Sequence, residues 1–224
     1  MSTHPQRGHR SDNGIIDSLS IVARDITDER ERHDELTRLA LHDPLTSLPN
    51  RRMFFECLDL AVARASRTSS SCAVLFIDLD GFKAVNDTLG HASGDALLFT
   101  VAGRLAASVR ESDVLSRFGG DEFAALCEGL TAAHAEEVAV RLLERASAPV
   151  NTPTGRAEVT ASVGLAFAPS GNTRPEALVR AADEAMYEAK RRGKNQHATV
   201  IADNHLGCQT NASASRPVRR LKGA

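Results

Sequence analysis

Four acidic residues give this chain its clearest capacity for chemistry. Asp78 and Asp80 close the apolar run CAVLFIDLD at 72–80, and Asp121 and Glu122 sit at the tip of RFGGDEFAAL at 117–126. If the run is a strand and the second stretch a neighbouring hairpin, the two acidic ends meet. Carboxylates brought together without a counter-charge repel, and some are driven to take up protons. A divalent cation removes that conflict. An oxygen donor set with no His or Cys suits Mg2+ or Mn2+. Such an ion, held by few carboxylates, completes its shell with water and substrate phosphates. Gly119 and Gly120 would let a triphosphate approach the main chain without meeting a Cβ. The competing reading is a glycine turn with solvated acids, beside a strand that happens to end in acids. The combination of the two tips favours the cation.

The stretch after Asp80, GFKAVNDTLGHASGDALL, is dense in side chains able to read a nucleotide. Lys83 offers a cation for phosphate. Asn86, His91 and Asp95 offer hydrogen-bonding groups. A carboxylate such as Asp95 suits guanine, whose Watson–Crick edge presents adjacent N–H donors. The alternatives are structural: Asn86 and Asp87 as turn formers, and Asp95 as a cap at the start of a helix.

These groups need a scaffold, and the apolar spacing supplies one. Phe54, Phe55, Leu58, Val62 and Ala65 predict a helix over 50–66. The continuous run 72–80 predicts a central strand buried on both faces. Helices are predicted over 94–109, 132–147 and 174–192, the last opened by Pro175. DVLSRF and EFAALCE flank the glycine pair as a hairpin. The alternation Val159, Ala161, Val163, Leu165, Phe167 predicts a strand, and HATVIA a short last one. The order is helix, strand, helix, hairpin, helix, strand, helix, strand. That is an α/β (α+β) fold, a ferredoxin-like or palm-like mixed sheet flanked by helices, with the acidic tip on its hairpin.

The 224 residues suffice for one domain plus extensions. Polar residues 1–13 and the basic tail 203–224 are expected to be disordered. Residues 14–42 read as a lone strand followed by a charged helix, DERERHDELTRLALHD, either a solvated linker or a parallel dimerising helix. The compact domain is expected over 43–202. A net charge of -2 argues against general affinity for nucleic acid or acidic membranes. No run approaches the ~18 apolar residues of a membrane span. Cys57, Cys72, Cys127 and Cys208 show no CxxC pairing, which predicts a cytoplasmic protein with reduced thiols.

RFGGDEF with DLDGFKAVNDTLGHASGDALL, LALHDPLTSLPNRRMF and ADEAMYEAKRRGKNQ together resemble the GGDEF domain of diguanylate cyclases over about residues 38–200. Several separated motifs in the same order make the resemblance specific. It implies an enzyme that condenses two GTP into cyclic di-GMP with release of two pyrophosphates. Each protomer of a homodimer would hold one GTP. Asp78, the Leu79 carbonyl and Asp121 match the metal positions, and Glu122 the second acid of the signature. Gly119 and Gly120 complete that catalytic loop. Either acid at the tip could take the 3′-hydroxyl proton. Asn86 and Asp95 match guanine readers, His91 a further substrate contact, and Lys83, Lys190 and Lys194 cations around the triphosphate. Related cyclases that accept ATP carry a smaller residue at the Asp95 position, so aspartate implies GTP.

Arg110 and Asp113 in RESD match the family's inhibitory RxxD site, where cyclic di-GMP binds as product, and Arg141 falls where a further arginine often joins it. By spacing alone, that pair reads as a surface ion pair. Ser47 stands where glycine is usual, and Lys194 where arginine is common. Residues 21–46 resemble the junction between a PAS sensor and its signalling helix, without the sensor core. The alternative function is a non-catalytic domain that binds cyclic di-GMP or GTP.

Overall fold

The structure is a computed structural model, in which residues 35–170 and 173–202 are described. The expected strand in 14–27, both termini and Cys208 lie outside those residues. The chain divides into two units at Arg38 and Leu39. Residues 35–41 are helical, with Arg38 forked onto Glu35 through two bonds of 2.8 Å.

In the larger unit, the elements run α1 (Arg51–Thr68), β1 (Cys72–Asp80), α2 (Phe82–Leu89), α3 (His91–Ala106), β2 (Val114–Gly119), β3 (Glu122–Glu128) and α4 (Ala132–Ala146). A small hairpin follows, β4 (Val150–Thr152) and β5 (Gly155–Ala157), and then β6 (Thr160–Ala168), α5 (Pro175–Arg191) and β7 (Gln196–Ile201). The main sheet has the order β2-β3-β1-β6-β7. All pairings are antiparallel except β6–β7. The β1–β2–β3–β6 part has ferredoxin-like connectivity, and α5–β7 extends it by a parallel crossover.

The sheet is central because its middle strands are apolar on both sides. Every residue of β1 is buried. Its odd residues, Ala73 to Leu79, join a core under α3 and α4; its even ones, Cys72, Val74 and Phe76, join a core under α1 and α5. β6 is likewise buried on both faces, so its apparent alternation hides small residues, Gly164 and Ala166, on the second face. Each fully buried leucine contributes about 2 kcal/mol from area alone. Asn50 caps α1, its side chain accepting from the Met53 N–H at 3.1 Å.

The β4–β5 hairpin was not expected, and two helices also differ from expectation. Residues 82–89 form α2, so Asn86 and Asp87 lie in a helix rather than a turn. α3 begins at His91 and ends at Ala106, so Asp95 is its fifth residue and caps nothing. The Cys57, Cys72 and Cys127 thiols are free. Burial pushes the Cys72 thiol up to about 12 and Cys127 up further, which leaves both as unreactive core residues.

Candidate functional site at the end of β1

The last β1–β3 register pair is Asp78↔Glu122. One residue on, the Leu79 N–H donates to the Asp121 carbonyl at 3.2 Å. N–H and C=O of one strand residue point to the same edge, so the Leu79 carbonyl also faces the hairpin tip. Gly119 (φ 138°) and Gly120 (φ 53°) turn the chain with backbone that an L side chain rarely adopts, and the space beside both is open. The tip thereby sets Asp121 and Glu122 against Asp78, as the sequence predicted.

Electrostatics record the crowding. Burial, then the charge of Asp78, raises the Asp121 carboxyl above its ordinary range. Burial, Asp78 and Asp121 raise Glu122 in the same way. Asp78 is buried and pairs with the Lys190 ammonium of α5 at 2.7 Å. Among the described residues, no three His, Cys, Asp or Glu side chains form a group able to hold a metal ion. The donor set fits a partly coordinated Mg2+: two carboxylates, Asp78 and Asp121, with the Leu79 carbonyl, and further ligands from phosphate and water.

Asp80 does not join this cluster. Its carboxylate accepts from Thr160 Oγ1 at 2.9 Å, from Ser162 Oγ at 3.0 Å and from the Asn195 N–H at 3.3 Å. It ties β1 to β6 and to the turn before β7, which corrects the expectation that both strand-end acids face the hairpin. The physical reason is that β6 and the β7 turn surround it with donors.

On the α2–α3 side, Asn86 is half-buried and leans over α3 at Gly94. A Cβ there would stand 1.9 Å from the Asn86 Oδ1. Glycine at 94 is therefore what admits the Asn86 side chain. His91 and Asp95 are exposed and four residues apart on α3, so they share one helix face. Lys83 and Lys194 are exposed, and neither has a carboxylate partner among the described residues. Lys194 adopts φ 62° in the turn after α5.

Arg110 and Asp113 close a tight turn before β2. The Asp113 carboxylate accepts from the Arg110 main-chain N–H at 2.9 Å, and the Asp113 N–H donates to the Arg110 carbonyl at 3.0 Å. The expected surface ion pair is thus absent among the described contacts, and the Arg110 guanidinium is left exposed. Arg141 of α4 donates from Nε to the Ser108 carbonyl at 2.8 Å, which places it beside this turn.

One group was missed by the sequence reading. Arg117, just before the glycine pair, holds Asp43 of the entrance loop through Nη1 at 2.9 and 3.0 Å. From Nε and Nη2 it donates to the Gly120 carbonyl at 3.2 and 2.8 Å. The two side chains are only 10% and 15% exposed. Burial alone would raise Asp43. Bonds from the Thr46 hydroxyl and N–H, and from Arg117, outweigh it and hold the carboxyl below its ordinary range. Arg117 is therefore the strut behind the acidic tip. In the same loop, Ser47 has φ 58°, the left-handed region that favours glycine.

The fold is a ferredoxin-like sheet with acids at the end of its central strand, and a lysine, Lys190, beside them. Known proteins specify it further. The family model "Diguanylate cyclase, GGDEF domain" matches residues 40–196. The bifunctional diguanylate cyclase/cyclic di-GMP phosphodiesterase MucR of Pseudomonas aeruginosa is 48% identical over 176 residues, 78% of this chain and 26% of MucR. The diguanylate cyclase TpbB of the same species is 41% identical over 184 residues, 81% of this chain and 42% of TpbB. The crystal structure of the coiled coil and GGDEF domain of DgcB from Caulobacter crescentus, in complex with c-di-GMP, superposes with a TM-score of 0.72 at 27% identity. It covers 79% of this chain and 93% of that one. The chain belongs to the GGDEF-domain family of diguanylate cyclases. It matches about a quarter of the length of MucR and somewhat under half of TpbB. Among the described residues, no helix is long and apolar enough to cross a membrane.

Proposed function

We propose that this chain is a diguanylate cyclase that joins two GTP into cyclic di-GMP, with release of two pyrophosphates, between two copies of residues 43–202. The observation that carries the reading is the convergence of Asp78, the Leu79 carbonyl, Asp121 and Glu122 on one edge, beside Lys190. Bound there by Asp78, Leu79 and Asp121, Mg2+ or Mn2+ would polarise the phosphoryl group and offset the charge developing on it.

The chain's own residues do the rest. Asn86 and Asp95 accept from and donate to the guanine edge and so fix the base. His91 adds a contact on the same face as Asp95. Lys83, Lys190 and Lys194 neutralise the triphosphate, with Lys190 moving from Asp78 to phosphate as substrate arrives. The open backbone at Gly119 and Gly120 admits the phosphates. Asp121 or Glu122, whose carboxyls burial and Asp78 make more basic, would take the 3′-hydroxyl proton. Positioning and electrostatics carry most of the rate in such transfers. The reading includes feedback: cyclic di-GMP bound by Arg110 and Asp113, with Arg141 alongside. It also includes residues 14–42 as a linker that joins protomers, and action in the cytoplasm, in keeping with the free thiols.

The test is incubation of purified protein with GTP and Mg2+, with product separated by chromatography. Cyclic di-GMP is expected, and Arg110→Ala is expected to keep turnover while escaping inhibition by added product. Folded, dimeric protein that binds GTP but makes no product would favour a binding domain instead.

A further inference from the structure

A groove of about 640 Å³ runs along the other flank of the hairpin, bounded by His42 and Pro44 of the entrance loop, Arg51 and Phe55 of α1, and Phe118 and Gly119 of β2. Three arginines line it. Arg117 is held by Asp43 and Gly120, and Arg52 by Glu56 at 3.1 Å. Arg51 has no carboxylate partner among the described residues. Its guanidinium lies over two rings instead, 5.8 Å from the centroid of Phe55 and 5.7 Å from that of Phe118. Phe118 is itself fixed by Phe54 at 5.1 Å and Phe76 at 4.9 Å. A guanidinium stacked on rings keeps its in-plane N–H donors free, while the rings limit its conformational freedom. That is a preset anion receptor, and Phe118 immediately precedes the glycine tip.

Its location decides which anion. The lysines proposed for the chain's own GTP come from α2 and from the end of α5, which packs on β1, β6 and β7. Arg51 instead stands on the β2 edge, where α1 packs. Resting on the cyclase reading above, we propose that Arg51 acts in trans, binding a phosphate of the GTP held by the facing copy. Each bond-forming step joins the 3′-oxygen of one nucleotide to the α-phosphorus of the other. It breaks the α–β phosphoanhydride and releases pyrophosphate, and the 3′-hydroxyl proton passes to a tip carboxylate and then to solvent. The first step yields linear pppGpG; the second closes the ring. Two triphosphates brought face to face need positive charge from both copies, and Arg51 supplies it across the tip.

The test is a mixing experiment. Arg51→Ala alone should bind a non-reactive GTP analogue within about twofold of wild type, yet lose roughly a thousandfold or more in turnover, the scale of a transferred arginine. Arg51→Lys should recover part of that loss. Mixed with Asp121→Asn, Arg51→Ala should accumulate pppGpG with little cyclic product. In that heterodimer one nucleotide has both an intact Asp121 and a partner's Arg51, and the other has neither. A mixture that makes neither product while wild type is active overturns the trans role, as does wild-type turnover by Arg51→Ala. Wild type that makes no cyclic di-GMP overturns the cyclase reading itself, and this inference with it.

Discussion

Asp43→Asn tests whether the strut behind the tip is as important as its geometry implies. The carboxylate takes two bonds from Arg117 Nη1 and two from Thr46. Asparagine keeps an acceptor for Thr46 but loses the charge, and so leaves a guanidinium 10% exposed without its counter-ion. Breaking a buried pair costs about 3–5 kcal/mol. The surviving Gly120 bonds and residual exposure scale that to about 2–3 kcal/mol. With a urea dependence of about 2 kcal/mol/M, the unfolding midpoint should fall by about 1–1.5 M at neutral pH.

The sign of the pH dependence is fixed as well. The folded carboxyl lies below its ordinary value of 3.8. Its contribution is therefore fully present above that value and disappears as pH falls through the lower, folded one. Wild type and variant should converge in acid. A cycle with Arg117→Gln should return a coupling of about 2 kcal/mol. Arg117→Lys adds the functional arm: it keeps charge opposite Asp43 but loses the fork to Gly120, so turnover should fall further than stability. A variant within about 0.5 kcal/mol of wild type at pH 7, or a gap that persists undiminished at pH 3, would refute the strut.

Three further outcomes follow from the geometry. Asp121→Asn removes a charge that burial and Asp78 already disfavour, so in EDTA it should melt above wild type, with the order reversed in excess Mg2+ and GTP analogue; scanning calorimetry reads both. Gly94→Ala puts a Cβ 1.9 Å from Asn86 Oδ1 and must displace that side chain, so KM for GTP should rise about tenfold or more with the fold retained by circular dichroism. His197 is buried on β7 with its pKa lowered by burial, against the opposing charge of Glu136. Its folded value lies below the unfolded value near 6.5, so stability falls as pH drops below about 6.5, and His197→Gln should flatten that slope in urea titrations at pH 5–7.

Much of the frame was legible because local pattern and tertiary role agree. The run 72–80 is apolar at every position to Ile77 and is buried on both faces, as a continuous run requires. The glycine pair marks the hairpin because φ 138° at Gly119 is glycine territory and the left-handed φ 53° at Gly120 favours glycine. α2 was overlooked because only Val85 of its eight residues is buried, with Phe82 and Leu89 half-buried, and its polar side chains suggested a loop. The β4–β5 hairpin has arms of three residues, too short for any periodicity. Asp80 could not be separated from Asp78 by spacing, since both are acids on one face of one strand. Only the donors on β6 and before β7 tell them apart. The Asp43–Arg117 strut joins residues 74 apart, a relation that no local pattern carries.

That strut also explains how a strained cluster of acids can wait for its ligand. Asp121 and Glu122 are pushed toward protonation by burial and then by Asp78, whose repulsion would by itself splay a glycine tip away from β1. Two contacts resist it without neutralising the acids. The Leu79 N–H pins the Asp121 carbonyl, and Arg117 pins the Gly120 carbonyl, with Asp43 absorbing the arginine's charge. Because Asp43 offsets part of the Arg117 charge, the strut restrains the backbone of the tip while only weakly favouring the ionised form of Asp121. An Arg117 without Asp43 would be an internal counter-ion, competing with metal for Asp121. Asp43→Asn should therefore weaken Mg2+ binding as well as the fold. Titration of Mg2+ at matched folded fraction reads the two effects apart, and unchanged metal affinity would show that Arg117 restrains the tip without its charge reaching Asp121.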